Sequence, residues 1–195
     1  MEILIINTGV GNVESIKNIL NRIGLKTRIS TLNEDFNKFN RFIIPGVGSF
    51  DRAMNQLKKY ESFKLLHDKK FLNDKFVLGI CLGMHLLFNE SEEGTQKGLC
   101  LFEGKIKKFK NNSIRIPHMG WNNVYGKKFY PDLNNEKFYF AHSYYAECKD
   151  EDIYAYSDYS IKFPAIVKKN NFYGIQFHPE KSNQNGMELL KKILT

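Results

Sequence analysis

The residue most able to do chemistry is Cys81, which lies between two glycines in GICLGMHLL, residues 79–87. A G-x-C-x-G run between an apolar strand and a helix is typical of a nucleophile elbow, a sharp turn that lifts the reactive side chain clear of the sheet. The amides that begin the following helix, near Leu82, would favour a thiolate and could bind an oxyanion. The pattern predicts a nucleophile, and a buried structural cysteine is the alternative.

A thiolate nucleophile needs a base and a group that orients the base. His178 stands where the predicted strand of GIQFHPE ends, and Glu180 follows two residues later. On an extended backbone, which Pro179 would maintain, residues i and i+2 share one face, so the carboxylate could orient the imidazole and stabilise its cation. We therefore predict a triad of Cys81, His178 and Glu180, with a surface His and Glu beside a turn as the alternative.

A third candidate segment is IIPGVGSF, residues 43–50, in which a predicted strand breaks into P-G-V-G. Such a break leaves backbone N–H groups without sheet partners, and glycine lets the peptide between Gly46 and Val47 take orientations that other residues exclude. The loop could complete an oxyanion hole with the N–H of Leu82. It could equally be a plain loop.

The elements that must position these residues alternate between strand and helix in the first half of the chain. Short apolar runs predict strands at 2–7, 26–30, 41–45 (broken by Pro45) and 76–80. Helical periodicity predicts helices at 11–24, where Asn12 can cap the start and Gly24 the end, and at 51–60, starting from Asp51. Strands that are apolar on both faces and alternate with helices are typical of a parallel sheet in an α/β fold.

The second half is different, because short β-rich runs take over. They lie at 98–109, 137–147, 153–157, 163–169 and 172–177, and an amphipathic helix with Met187, Leu189, Leu190 and Ile193 closes the chain. These runs favour antiparallel or mixed strands. Since no repeat or low-complexity linker separates the halves, we predict one domain over residues 1–195.

Composition limits the function classes. The formal charge is +8, from 29 Lys and Arg against 21 Asp and Glu, but the basic residues come as scattered pairs among acids. That pattern argues against a nucleic-acid reader and favours instead a basic face that docks on an acidic protein. The chain has neither an N-terminal leader nor an apolar run near the ~20 residues of a membrane span, so we expect a soluble cytoplasmic protein.

The cysteines and the other histidines indicate no cofactor. Cys81, Cys100 and Cys148 are odd in number and lack paired or metal-ligand spacing, so we expect reduced thiols, with Cys100 and Cys148 structural. His118 and His142 lie far from each other and from any cysteine at ligand spacing, so we predict no metal site. No glycine-rich phosphate loop with a lysine is present.

Six motifs together resemble a known family. PGVGSFDRAM, GICLGM, SEEG, IPHMGWN, FAHSYY and GIQFHPEKS occur in the order and rough spacing of the class I (triad) glutamine amidotransferases, over nearly the whole chain. Within that family the set is most similar to the glutaminase subunits of imidazole glycerol phosphate synthases. The resemblance implies a flavodoxin-like α/β fold that hydrolyses glutamine through a thioester. It also implies a heterodimer in which ammonia passes to a (β/α)8-barrel synthase, without a cofactor.

The resemblance also implies roles for individual residues. Cys81 matches the nucleophile, His178 the general base and acid, and Glu180 the group that orients it. Gly46, Val47 and Leu82 match the oxyanion hole. Gly48, His85, Ser143 and Tyr144 match substrate-binding positions.

The segment PHMGWNNV, residues 117–124, is matched to a loop that faces the synthase barrel. Met119 and Trp121, on either side of Gly120, suit an interface hot spot, and ordinary core residues are the alternative. Asn12 and Lys181 also match interface positions. We expect Lys181 to pair with a carboxylate of the partner and to couple docking to the P-G-V-G peptide.

One position departs from the family pattern, because His85 stands where a glutamine that contacts the substrate usually follows Gly-Met. Histidine has a different shape and can carry charge, which puts the affinity for glutamine and the branch of the family in question. A glutaminase partner of a sugar-nucleotide amidotransferase in surface-polysaccharide synthesis is therefore the second interpretation. A stand-alone cysteine hydrolase and a catalytically silent binding subunit are alternatives from other classes.

Overall fold

The computed structural model describes residues 2–110, 114–127, 133 and 136–195. The strands within these residues are β1 Glu2–Ile5, β2 Lys26–Ile29, β3 Arg41–Gly46, β4 Phe76–Cys81, β5 Glu90–Ser91, β6 Gly104–Lys108, β7 His118–Gly126, β8 Glu136–His142, β9 Tyr144–Cys148, β10 Ile153–Asp158, β11 Lys162–Lys169 and β12 Phe172–Ile175. The helices are α1 Val13–Arg22, α2 Phe50–Leu57, α3 Lys69–Leu72, α4 Leu82–Leu86 and α5 Asn183–Leu194. Short 3₁₀ segments cover Phe36–Lys38, Glu61–His67, Asp150–Asp152 and Pro179–Lys181.

A nine-stranded sheet dominates the described residues, in the order β2-β1-β3-β4-β12-β11-β10-β7-β8. The pairs from β2 through β12 are parallel, and those from β12 through β8 are antiparallel. A small sheet in the order β5-β6-β9 adjoins it. This architecture confirms the predicted α/β fold class with a β-rich second half.

The parallel strands are apolar on both faces because each face packs against its own core. In β1, Leu4 belongs to one buried cluster while Ile3 and Ile5 belong to the other. Helix α1 covers the second cluster with three buried residues, Ile16, Ile19 and Leu20. The strand period of two therefore sorts alternate residues to opposite faces of the sheet.

The ends of α1 follow the sequence prediction. The Asn12 side chain accepts a hydrogen bond from the Ser15 N–H at 3.1 Å, and Gly24 has a φ of +82°. A side-chain acceptor at the first end and a left-handed residue after the last turn are the usual ways to satisfy a helix terminus. Asp51 does not cap α2, because its carboxylate instead accepts the backbone N–H groups of Thr95 and Gln96 at 3.0 Å.

Several predicted boundaries are wrong. Pro45 does not break β3, which pairs with β4 through Gly46, since a proline near a strand end removes only one N–H from the ladder. Of residues 98–109, only β6 is a strand. The predicted strand at 137–147 divides at Ser143, and its halves, β8 and β9, join different sheets.

The segment predicted as a loop at 117–124 is largely strand β7. It pairs with β8 over seven residues, from His118 opposite His142 to Val124 opposite Glu136. The sequence did not predict this strand because glycine is uncommon in strands, and Gly120 has a φ of +130°, which other residues rarely adopt. Among the described ranges, no helix has the length and apolarity to cross a bilayer.

Candidate active site

Cys81 occupies a strained turn at the carboxyl end of β4. Its φ is +54°, in the region that non-glycine residues rarely enter, and α4 begins at the next residue. The turn is possible because strand and helix approach closely. A Cβ on Gly83 would lie 1.6 Å from the carbonyl oxygen of Ile44, and one on Gly79 would lie 2.5 Å from that of Gly83. The glycines on either side of Cys81 are therefore required by packing, as the elbow pattern predicts.

His178 and Glu180 lie beside the same edge of the sheet. Strand β12 runs parallel to β4, and the chain reaches His178 three residues after β12 ends. Its Nδ1 lies 2.8 Å from Glu180 Oε1, and both side chains are buried. The expected extended backbone is wrong here, because Pro179 begins a 3₁₀ segment that turns the carboxylate back toward the ring.

The Cys81 sulfur and the His178 ring interact electrostatically. Burial lowers the pKa of His178, but the Cys81 sulfur and the Glu180 carboxylate outweigh burial and raise that pKa to about 10. The other ring nitrogen, Nε2, is buried and has no hydrogen-bond partner of ordinary geometry within the described residues. The site therefore favours an imidazolium that has one nitrogen available for proton transfer.

Sequence analysis missed Gln176, which connects Cys81 to His85. The Gln176 amide nitrogen lies 4.0 Å from the Cys81 sulfur, and its Oε1 lies 2.9 Å from His85 Nε2. Burial lowers the pKa of His85 to about 4, although the hydrogen bond to Gln176 opposes that shift. His85 is therefore neutral near pH 7, which removes the charge considered from sequence. The only advance signal for Gln176 was its place in GIQFHPE, two residues before His178.

The predicted oxyanion residues adjoin the sulfur. Gly46 pairs with Cys81 across β3 and β4, and a Cβ on Gly46 would meet the Leu82 side chain at 3.1 Å. Leu82 is the first residue of α4, so its N–H has no acceptor within the helix. Val47 follows β3 and is 44% exposed, while Gly48 has a φ of +106°.

A cavity of about 180 Å³ opens beside Cys81. Its wall contains every predicted substrate-binding residue and two of the oxyanion residues: Val47, Gly48, Leu82, His85, Ser143 and Tyr144. It also contains Glu93, a residue of the SEEG motif that was not predicted as a site residue. The Glu93 carboxylate accepts the Phe50 N–H at 3.1 Å, and burial raises its pKa.

His118 and His142 touch, which corrects the view that they are far apart. His118 Nδ1 lies 2.9 Å from His142 Nε2, because the two residues are directly opposite each other on β7 and β8. Cys100 also departs from expectation, since it is exposed rather than part of the core. Over the ranges that the structure describes, no group of three or more His, Cys, Asp or Glu residues is arranged to hold a metal ion.

The predicted interface residues are exposed, and one of them, Met119, lines the cavity. Met119 is 63% exposed and also lines the cavity, and Trp121 is 49% exposed, which excludes the core alternative for both. The centroids of the Trp121 and Tyr139 rings are 6.2 Å apart, and Lys181 Nζ lies over the Tyr139 ring, 5.6 Å from its centroid. Asn12 is exposed, and its side chain caps α1.

Comparisons with known proteins show similar sequences over almost the whole chain. The sequence model of the family described as "Glutamine amidotransferase class-I" matches residues 4–195. The relative named "Imidazole glycerol phosphate synthase subunit HisH 2" from Methanococcus maripaludis is 44% identical, over 98% of each chain. Relatives named "Imidazole glycerol phosphate synthase subunit HisH" are 42% identical in Lactococcus lactis, over 99% of this chain and 98% of theirs, and 41% identical in Bacillus subtilis, over 97% and 93%.

Solved structures share the fold at lower sequence identity. A crystal structure described as a glutamine amidotransferase superposes with a TM-score of 0.74 at 15% identity, over 98% of both chains. The structure of PurLQS from Thermotoga maritima superposes with a TM-score of 0.73 at 15% identity, over 99% of this chain and 97% of that one. At such identities the likeness concerns the fold alone. With the family match over residues 4–195, the chain belongs to the class-I glutamine amidotransferases.

Proposed function

We propose that this chain hydrolyses L-glutamine to glutamate and ammonia, with Cys81 as nucleophile, His178 as general acid and base, and Glu180 as the group that orients His178. The observation that carries the proposal is the juxtaposition of the strained Cys81 turn, the 2.8 Å contact between His178 and Glu180, and the adjoining cavity. A thiolate beside an imidazolium is the state from which attack on an amide begins.

The proposed reaction returns every group to its starting state. The Cys81 thiolate attacks the side-chain amide carbon, and the carbonyl electron pair moves to the oxygen, which the N–H groups of Val47 and Leu82 stabilise. The C–N bond then breaks as His178 donates its proton to the departing nitrogen, leaving a thioester and ammonia. Neutral His178 next takes a proton from water, whose oxygen attacks the thioester, and collapse expels glutamate and restores the thiolate and the imidazolium.

The cavity wall supplies the groups that would hold the rest of the substrate. We assign the amino-acid end of glutamine to Gly48, Ser143 and Tyr144, and its side chain to the region of His85. Glu93 adds a carboxylate to the same wall, and the α-ammonium group of an amino acid is the natural partner of a carboxylate. Burial raises the pKa of Glu93, and an α-ammonium group beside the carboxylate would oppose that shift.

We propose further that the chain is the glutaminase subunit of an imidazole glycerol phosphate synthase. The relatives that carry this name match nearly the full chain at 41–44% identity. In this proposal residues 1–195 act as one cytoplasmic domain in a heterodimer. Ammonia passes to a (β/α)8-barrel synthase, which makes imidazole glycerol phosphate and AICAR for histidine biosynthesis.

The docking surface of the proposal consists of Asn12, Met119, Trp121 and Lys181. It is supported by the exposure of Met119 and Trp121, since large exposed apolar side chains beside a cavity are typical of interaction sites. Within this surface we propose that Lys181 pairs with a partner carboxylate and couples docking to the Gly46–Val47 peptide. Lys181→Ala should then bind the partner more weakly and be activated less. Wild-type binding and activation by this variant would overturn the coupling.

Ammonia release from glutamine tests the proposed function. The chain is assayed alone, with a (β/α)8 cyclase barrel, and with a sugar-nucleotide amidotransferase, beside Cys81→Ala and the matched control Cys100→Ala, which removes an exposed thiol. We expect strong stimulation by the cyclase, lost by at least about a thousandfold in Cys81→Ala and retained in Cys100→Ala.

Each other outcome contradicts part of the proposal. Stimulation by the sugar-nucleotide enzyme alone would reassign the partner. High turnover without any partner would indicate a stand-alone hydrolase. Absence of turnover with every partner, together with tight binding, would indicate a silent binding subunit.

A further inference from the structure

Two buried histidines form a hydrogen-bonded chain that ends at the substrate wall. His118 and His142 face each other across β7 and β8, with 2.9 Å between His118 Nδ1 and His142 Nε2. His142 Nδ1 lies 2.7 Å from the carbonyl oxygen of Tyr144. At the other end, the Asn122 side-chain nitrogen lies 3.2 Å from His118 Nε2 and donates to the Asp158 carbonyl at 2.8 Å.

The hydrogen bonds in this series run in one direction, because the group at its end, the Tyr144 carbonyl, can only accept a hydrogen bond. A backbone carbonyl has no proton to give, so His142 Nδ1 carries the proton that reaches Tyr144. In a neutral ring Nε2 is then an acceptor, and His118 Nδ1 must donate to it, which leaves His118 Nε2 to accept from Asn122. Burial keeps both rings neutral, since it lowers the pKa of His118 to about 4 and that of His142 well below its usual range.

We infer that His118 and His142 are positioning residues for glutamine, which act by holding the Ser143–Tyr144 backbone against the cavity. The inference rests on the proposed function, because Ser143 and Tyr144 line the cavity assigned to the substrate. If the donor at His118 is lost, His142 can move its proton to Nε2. His142 Nδ1, now without a proton, would then face the Tyr144 carbonyl oxygen, and the two hydrogen-bond acceptors would repel each other.

A purely structural role makes a different prediction. The His118 ring is stacked 4.0 Å from Tyr159 and 4.8 Å from Phe140, so packing alone would be satisfied by any aromatic ring. His118→Phe keeps that stack and removes the donor. His118→Asn sacrifices the stack but retains an amide donor near the position of Nδ1. The two variants therefore separate hydrogen bonding from packing.

The kinetic test uses the complex of the full chain with its cyclase. For His118→Phe we expect the KM for glutamine to rise at least about fivefold with little change in kcat, since a lost hydrogen bond in a buried chain has about this effect. His118→Asn should recover most of the wild-type KM. His67→Phe is the matched control, because His67 is exposed and lies on a different part of the chain.

A spectroscopic test on the wild-type chain requires no variant to fold. In ¹⁵N NMR spectra of the imidazoles, both His118 and His142 should be neutral and protonated at Nδ1 at pH 7. That tautomer is required by the hydrogen-bond direction and not by packing.

Two results would overturn the inference. One is an Nε2-protonated or cationic His142, and the other is a folded His118→Phe variant with an unchanged KM. Neither is the same as failure of the proposed function, in which the wild-type complex itself releases no ammonia from glutamine.

Discussion

At the scale of single residues, the site depends on what burial does to histidines in different surroundings. Burial lowers the pKa of an imidazole, and it does so for His85, whose nearest polar neighbour is the neutral Gln176. His178 is buried as well, but the Cys81 sulfur and Glu180 carboxylate reverse the direction of the shift. One residue type therefore provides a neutral ring, His85, in the cavity wall and a cation, His178, that interacts with the Cys81 sulfur.

The pKa of His178, raised to about 10, predicts how the effect of Glu180→Gln depends on pH. A raised pKa contributes stability that is complete below the ordinary value of 6.5 and lost as the pH rises through about 10. The variant should therefore be destabilised most at pH 6.5, by about 1–3 kcal/mol in unfolding free energy, and progressively less toward pH 10. Urea unfolding of wild type and variant over this range measures the difference. A difference that does not change with pH would contradict the assignment.

The lowered pKa of His85 predicts the opposite pH dependence of stability, with a loss of stability as the pH falls. Its pKa is about 4 in the folded chain, so its contribution to stability is complete above 6.5 and lost as the pH falls to about 4. His85→Gln removes the titration and should flatten this loss, by up to about 1.4 kcal/mol per pH unit relative to wild type. Thermal or urea unfolding at several pH values between 4 and 7 measures both slopes. Parallel slopes would show that His85 does not stay neutral in the fold.

At the scale of elements, the junction of β4 and α4 depends on backbone contact. The helix packs so closely over β3 that Gly83 has no room for a side chain beside the Ile44 carbonyl. Because backbone atoms cannot move aside as a flexible side chain can, any substitution here must shift the helix whose first amide adjoins Cys81. The stability of the fold and the reactivity of the Cys81 thiol are thus coupled at this junction.

Two glycine variants test that coupling. Gly83→Ala should lower the unfolding free energy by more than about 3 kcal/mol and reduce alkylation of Cys81 by iodoacetamide. Gly24→Ala is the control, because a Cβ at Gly24 meets nothing within 4 Å and only the left-handed backbone, with a φ of +82°, opposes it. Its cost should be about 1–2 kcal/mol, without an effect on the thiol. Similar effects of both variants on the unfolding free energy and on Cys81 alkylation would contradict the proposed role of packing at Gly83.

At the scale of the whole molecule, the sheet brings the candidate active site and the proposed docking surface to one region. Its parallel half delivers Cys81 and His178 to one edge. In its antiparallel half, β7 carries Met119, which lines the cavity, and Trp121 two residues later. In the proposed complex, a partner seated on the docking surface would cover the cavity that is proposed to bind glutamine and release ammonia. This proximity is what transfer of ammonia without loss to solvent requires.

Trp121→Ala tests the docking surface. We expect the affinity for the cyclase barrel to fall by about 2 kcal/mol or more, roughly thirtyfold in Kd, since exposed tryptophans in interfaces are frequent hot spots. The thermal stability of the free chain should change little, because the side chain is half exposed. Leu32→Ala is the matched control: Leu32 is 41% exposed and follows β2, at the opposite edge of the sheet. Titration calorimetry measures the affinity of each variant for the barrel, and equal affinities of the two variants would place the interface elsewhere.

The sequence by itself determined the structural features that depend only on residues close together along the chain. Local turn chemistry and periodicity account for four features of the sequence. These are the glycines around Cys81, the cap at Asn12, the i, i+2 spacing of His178 and Glu180, and the apolar runs of β1, β3 and β4. These features predicted the α/β fold and the residues that the structure brings together near Cys81. The catalytic roles of Cys81, His178 and Glu180 stay predictions.

Only the tertiary structure decided the contacts between distant segments. The pairing of His118 with His142 depends on the register of β7 against β8, and the link from His85 to Gln176 joins residues 91 positions apart. Glu93 and Ser143 meet at the cavity in the same way. Register and layer packing are set by the free energy of the whole core, so no local pattern specifies which polar groups finally face each other.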